Sequence, residues 1–202
     1  MNNGVIALDA DGVLLDYSLA YGRVWERAFG AHPAERDPRA YWPYDRWAVE
    51  RLTGEPLAQL RRHFDEEFWG GMAAIAGAVE ACRLLVEQGH ELVCVSAVEA
   101  RFAAARRRNL RDLGFPIEEL LATGNEAGAL SPKAAALNRL RPVAFVDDYL
   151  PYHRGVDGGI HKALILRGPN GSPNVGDELA GTHSQHDDLL AFARAWPQLR
   201  AR

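Results

Sequence analysis

The sequence predicts an α/β protein: a parallel sheet with helices on both faces, and a small α-helical cap inserted after the first strand. Three observations predict it. Five short apolar or β-branched segments alternate with helical patterns, and parallel strands need crossovers that cover both faces of their sheet. The alternation breaks once, between Tyr17 and Gly71, where no strand candidate occurs. The chain has 202 residues, 48% hydrophobic and 25% charged, enough to bury one full domain core with a small satellite.

The strand candidates are Val5–Ala10, Glu91–Ala97, Glu119–Thr123, Val143–Asp147 and Lys162–Arg167. In Ala78–Gln88, Val79, Cys82, Leu85 and Val86 share a helical face, and Gly89 is placed to end it. Glu99–Leu113 reads as a helix with a basic outer face that ends at Gly114. Pro132–Leu140 starts with Ser131 as N-cap and Pro132 in the first turn. Its return to the next strand runs sharply through Arg141 and Pro142. Asp187–Trp196 reads as the last helix. Within the insertion, helical patterns fall at Leu19–Phe29, Trp47–Leu52 and Leu57–Trp69, separated by the stretch "HPAERDPRAYWPYDRW". The expected division is a core of residues 1–16 and 72–202 with a cap of 17–71, Gly70 and Gly71 forming a hinge. The stretch "GPNGSPNVGDELAGTH" after Arg167 reads as a mobile loop.

A net charge of −4 gives no electrostatic footprint for nucleic acid or an anionic membrane. No apolar run reaches membrane-spanning length, and the N-terminus shows no basic stretch followed by an apolar one. Cys82 and Cys94 lack metal-ligand or redox spacing and sit in apolar patterns, as buried thiols of a reducing compartment do. The expectation is a soluble cytoplasmic protein.

In an open parallel sheet, ligands bind beyond the carboxyl ends of the strands. The first strand ends in Asp9 and Asp11, and residues i and i+2 of a strand share a face. Two carboxylates aimed together repel unless a cation sits between them. The second strand ends at Ser96, the fourth in Asp147 and Asp148, and Lys133 opens the helix before it. Clustered carboxylates suit a hard dication, and magnesium accepts few protein ligands beside water and phosphate. One carboxylate can attack phosphorus, and a second can move the leaving group's proton. A hydroxyl and an ammonium can hold phosphoryl oxygens.

The order Asp-x-Asp-Gly-Val, Ser, Lys, Asp-Asp resembles the haloacid dehalogenase superfamily from about Val5 to Tyr149, including its Rossmann-like sheet and small helical cap. The resemblance implies Asp9 as nucleophile and Asp11 as general acid/base. It implies Ser96 as the phosphate-binding hydroxyl and Lys133 as the neutralising ammonium, with Gly12 and Ala97 completing the substrate-binding set. Mg2+ would be held by Asp9, the backbone carbonyl of Asp11, and the pair Asp147 and Asp148, with Asp148 in direct contact and Asp147 behind it. Asp11 disfavours dehalogenase chemistry and points to a phosphatase of a small phosphorylated metabolite. A sugar phosphomutase and a non-catalytic phosphate-ester-binding member are the alternatives. A signalling receiver domain carries its acidic pair early, whereas here that pair comes late.

Single residues also have plainer readings. Ser96 alone reads as a helix cap, Lys133 as a solvated side chain, and Asp16 as a cap or turn residue. His183 and His186 read as solvated histidines of a loop, not as a zinc site. Trp42, Tyr44, Trp47, Phe64, Phe68 and Trp69 read mostly as the core of the cap. Arg23, Arg27, Arg46 and Arg51 read as members of surface ion pairs.

Overall fold

The computed structural model describes residues 3–126 and 128–201. The strands are β1 (Val5–Leu8), β2 (Glu91–Ser96), β3 (Glu119–Ala122), β4 (Ala144–Asp147), β5 (His161–Ile165) and β6 (Ser184–His186). They form one sheet in the order β3-β2-β1-β4-β5-β6, and every pairing is parallel. The chain leaves β1 toward β2 and β3, then crosses back to β4 on the other side. The switch point therefore lies between β1 and β4, where such sheets bind ligands. Leu8 pairs with both Cys94 and Val146, so the ends of the three central strands lie level.

The strands are apolar because both their faces are covered. Ile6, Ala7, Leu8, Ala144, Phe145 and Val146 are wholly buried. One face packs into the larger core with Leu85, Phe192 and Trp196, the other against Leu137, Val156 and Ile160. Each large apolar side chain so buried contributes about 1.5–3 kcal/mol.

Among the helices, α1 (Tyr17–Phe29) starts where Asp16 accepts from the Leu19 amide at 2.9 Å and ends at Gly30, φ 82°. Asp16 is thus the cap the sequence suggests. Next comes α2 (Pro43–Arg46), one turn with proline in its first position. The predicted helix over Trp47–Leu52 does not form. Trp47 is extended, bridges Glu35, and donates its indole N–H to the Ser18 carbonyl at 2.7 Å. Burying that indole against α1 holds the segment straight. The single helix expected over Leu57–Trp69 is two, α3 (Gly54–Arg62) and α4 (Glu66–Gly70). Asp65 interrupts it by capping the Phe68 amide at 3.0 Å.

The core helices are α5 (Ala78–Glu87), α6 (Ala103–Asp112), α7 (Ala134–Leu140) and α8 (Leu189–Arg200). A 3-10 turn, Ala100–Phe102, precedes α6. Ser131 accepts from the Lys133 amide at 3.1 Å, which fixes the entry to α7. At its end Arg141 adopts φ 51°, the left-handed conformation that makes the sharp return possible. A non-glycine residue there costs about 1–2 kcal/mol.

The segment after Arg167 is a loop, as its composition predicts. It holds a 3-10 turn at Asp177–Gly181 and is bonded to the insertion. Tyr41 donates its amide to the Asn170 carbonyl at 2.9 Å, and Asn170 donates to Arg39 and Asp37. His183 accepts from the Lys162 amide and His186 meets the Ser184 hydroxyl, so both secure the edge strand. Cys82 and Cys94 are buried free thiols; burial pushes the Cys94 thiol up to about 12. Among the described residues, no helix is long and apolar enough to cross a membrane.

Candidate active site

Strand β1 stops at Leu8, and the backbone turns at once. Asp9 donates its amide to Val146 at 2.9 Å, still in sheet register, while Leu14 and Leu15 both donate to the Ala10 carbonyl. The turn needs Gly12, with φ 86°. A side chain there would collide with the Asp148 carboxylate and the Arg167 guanidinium. Gly12→Ala is expected to cost about 1–2 kcal/mol through its backbone alone, with a further cost from displacing Asp148. The check is a urea titration: a lower midpoint at unchanged slope is expected, and a parent-like midpoint would contradict this reading of the turn.

Asp9 and Asp11 both reach the floor of one cavity, as the strand spacing predicts, but take different cations as partners. Asp9 is buried, and its Oδ1 accepts from the Ala10 amide at 2.7 Å and pairs with Lys133 Nζ at 2.6 Å. Both contacts fall on Oδ1, which leaves Oδ2 for a ligand. Asp11, partly exposed, pairs through Oδ1 with Arg106 Nη2 at 2.7 Å. Burial raises its pKa above the usual carboxylate value, and Arg106 opposes that rise.

Lys133 is the hinge pin of the buried charges. Its side chain is fully buried, sits between Asp9 and Asp147 at 2.6 Å from each, and lies 4.6 Å from the Tyr152 ring centroid. Burial alone would lower its pKa, but Asp147 and Asp9 together outweigh burial and hold it charged. Asp147 is pinned at both oxygens, by Lys133 and by the Tyr149 amide at 2.8 Å. Asp148 meets Arg167 Nε at 2.5 Å, and its carbonyl accepts from the Tyr41 hydroxyl and the Asn174 amide group. Burial raises the pKa of both aspartates, as does the charge on Asp9.

Asp9, Asp147 and Asp148 each offer an oxygen within 4.8 Å of one another, a buried cluster that could hold a metal ion. The Asp11 carboxylate lies outside it. Three carboxylates face two cations, Lys133 and Arg167, so the cluster retains an excess negative charge that a hard cation with oxygen ligands would offset. The donor set fits such an ion.

Ser96 ends β2 as expected but is fully covered, its Oγ meeting the Val98 amide at 3.4 Å. Its neighbour Ala97 reaches the cavity. That cavity has a volume of about 670 Å3 and its floor includes Asp9, Asp11 and Asp148. Its walls come from the insertion, from the segment between β3 and α7, and from the loop after β4.

Two arginines that pair with the site's aspartates escape the sequence reading. Arg106 is on the helix read as basic outside, yet it is wholly buried beneath Trp69, 5.0 Å from the ring centroid. Phe102, Ala105, Asn109 and Leu110 are buried on the same face, and helical spacing at Phe102, Ala105, Arg106, Asn109 and Leu110 marks Arg106 as inward-facing. Arg167 lies two residues beyond the end of β5, at the same sheet edge as the other charged groups. Its guanidinium stacks on Tyr41 at 4.3 Å and donates to the Tyr41 carbonyl. The cap arginines take other partners: Arg23 the Gly71 carbonyl, Arg27 Asp65, Arg46 Glu35 and Arg51 Asp45. Trp47 and Phe68 are core residues, whereas Trp42, Tyr44 and Trp69 line the cavity.

No protein-family model and no curated protein sequence matches the chain. Solved structures do match. A HAD family hydrolase from Deinococcus radiodurans R1, with bound phosphate and sodium, aligns at 19% identity over 96% of each chain with a TM-score of 0.63. A β-phosphoglucomutase candidate from Thermotoga maritima aligns at 20% identity over 98% of this chain and 99% of that one, TM-score 0.58. A predicted phosphoglycolate phosphatase from Haemophilus somnus 129pt aligns at 16% identity, covering 95% and 97%, TM-score 0.59. The chain has the haloacid dehalogenase-like fold.

Proposed function

We propose that this chain is a magnesium-dependent phosphatase that hydrolyses a small phosphomonoester through an aspartyl-phosphate. The observation that carries the reading is the division of labour among its carboxylates: Asp9 on Lys133, Asp11 on Arg106, Asp147 and Asp148 behind them, all under one cavity. Residues 17–71 act as the cap over a core formed by 1–16 and 72–202, and the free thiols suit a cytoplasmic setting.

Oδ2 of Asp9 attacks phosphorus, forming one P–O bond as the bond to the leaving oxygen breaks. Asp11 gives that oxygen its proton, and its raised pKa suits it to carry one. A water then attacks the phosphorus of the aspartyl-phosphate, Asp11 takes the water's proton, and the carboxylate of Asp9 is released with inorganic phosphate. Lys133 holds Asp9 in one rotamer throughout, and Arg106 does the same for Asp11. Ala97, which lines the cavity, would contact the phosphoryl group, with Ser96 covered behind it and Gly12 shaping the turn between Asp9 and Asp148. Mg2+ would be held by Asp9, Asp148 and the carbonyl of Asp11, with Asp147 positioned behind; when bound it offsets charge on the phosphoryl oxygens.

The test is phosphate release from a panel of phosphorylated metabolites, with magnesium and after chelation. Release that stops on chelation and returns with magnesium is expected. No release, with label exchanged between substrate positions instead, would replace this reading with a phosphomutase. Neither release nor exchange from any compound would overturn it.

A further inference from the structure

We infer that the phosphorylated ligand of this site carries a flat aromatic ring, as a nucleoside or aryl monophosphate does, and that Trp42 and Tyr44 with Tyr149 and Tyr152 form the wall that binds the ring. The inference rests on the phosphatase reading for the position of the phosphate. Its own support is the lining of the cavity above the carboxylates.

Trp42 and Tyr44 come from the cap, their rings parallel within 6° at 5.8 Å. Trp42 meets Tyr149 edge-on at 6.2 Å, and Tyr149 meets Tyr152 edge-on at 4.9 Å. These four rings line the cavity, and Tyr152 also lies over Lys133, which ties the wall to the phosphate end. Tyr44 backs Trp42 by stacking and is itself covered by the Arg51 guanidinium at 4.4 Å, and Tyr152 carries Lys133, so the half-buried rings of Trp42 and Tyr149 are the surfaces that the wall offers to a planar ligand.

Charge argues the same way. The cationic side chains on the lining are Arg154 and Arg167. Arg154 is engaged by Glu178 through two contacts at 2.8 Å, and Arg167 by Asp148 and Tyr41. Among the described lining residues no unpaired cation is left for a second anionic group, such as the carboxylate of a phospho-acid. A volume of about 670 Å3 is in the range of pockets that enclose a ring system, about 300–1,000 Å3.

The experiment is equilibrium binding to the Asp9→Asn protein, in which turnover is expected to be at least about 10⁴-fold slower. Adenosine 5′-monophosphate is compared with ribose 5-phosphate, and phenyl phosphate with methyl phosphate. At least one aromatic member is expected to bind about tenfold more tightly than its partner. Trp42→Leu should erase most of that advantage and Trp42→Phe should restore it, a pattern that general damage to the fold does not produce. Equal affinities in both pairs, or tighter binding of the non-aromatic members, would overturn the inference; phosphate release by the parent protein would then leave the phosphatase reading standing. Aromatic preference without phosphate release from any compound would support the inference and overturn that reading. An advantage that survives Trp42→Leu would overturn the assignment of the wall.

Discussion

Asp9→Asn is expected to lower phosphate release at least about 10⁴-fold while the protein still folds. The substitution keeps the shape of the side chain and an oxygen that can accept from the Ala10 amide. It removes the one oxygen placed for attack and the charge that makes it a nucleophile. Lys133 keeps its second partner, Asp147, at 2.6 Å, so no buried ammonium is stranded. The urea midpoint should therefore stay close to the parent's, and a kinetic assay beside it isolates the chemical loss. Turnover at the parent rate would end the nucleophile assignment.

Lys133→Met is expected to have the largest effect on stability. Methionine nearly fills the space but removes the ammonium that two buried carboxylates share. Breaking a buried pair by deleting one partner costs about 3–5 kcal/mol, because the other charge stays behind in a poorly solvated site. In the parent, burial and the charge of Asp9 already push the pKa of Asp147 upward, with Lys133 opposing them. Without Lys133 that rise must grow. A carboxyl whose folded pKa lies above its unfolded value favours the fold at low pH and loses that contribution as pH rises through the folded pKa. Measured with a chelator present, the deficit should therefore be smaller at about pH 5 than at about pH 8. A midpoint matching the parent's at both values would contradict the role given to Lys133.

Much of this arrangement is legible in the residues. The five strand segments β1 to β5 are short apolar runs, and buried strands between covering helices have few other compositions available. The carboxylates at the ends of β1 and β4 are legible for the same reason, since a charge closing an apolar strand at the sheet's carboxyl edge has no packing role there. Local signals fail where tertiary contacts decide. Trp47 leaves its helical pattern because its indole is bonded to Ser18. The edge strand β6 is three residues long, too short for a period to show. Arg106 is hidden among the four arginines of α6, and only its place in the buried stripe distinguishes it. Spacing brings Asp11 to the cavity with Asp9, but its pairing with Arg106 is a tertiary contact that spacing does not carry. Ser96 lies at the expected strand end but beneath the surface, with Ala97 as its exposed neighbour.

The most direct test of the account is rapid acid quenching of the enzyme during turnover of a labelled phosphomonoester, followed by peptide mapping. The account predicts label on the peptide that contains Asp9, released by hydroxylamine as an acyl phosphate should be, and absent from the Asp9→Asn protein. Turnover with no label on any peptide, or with label on a different residue, would contradict it.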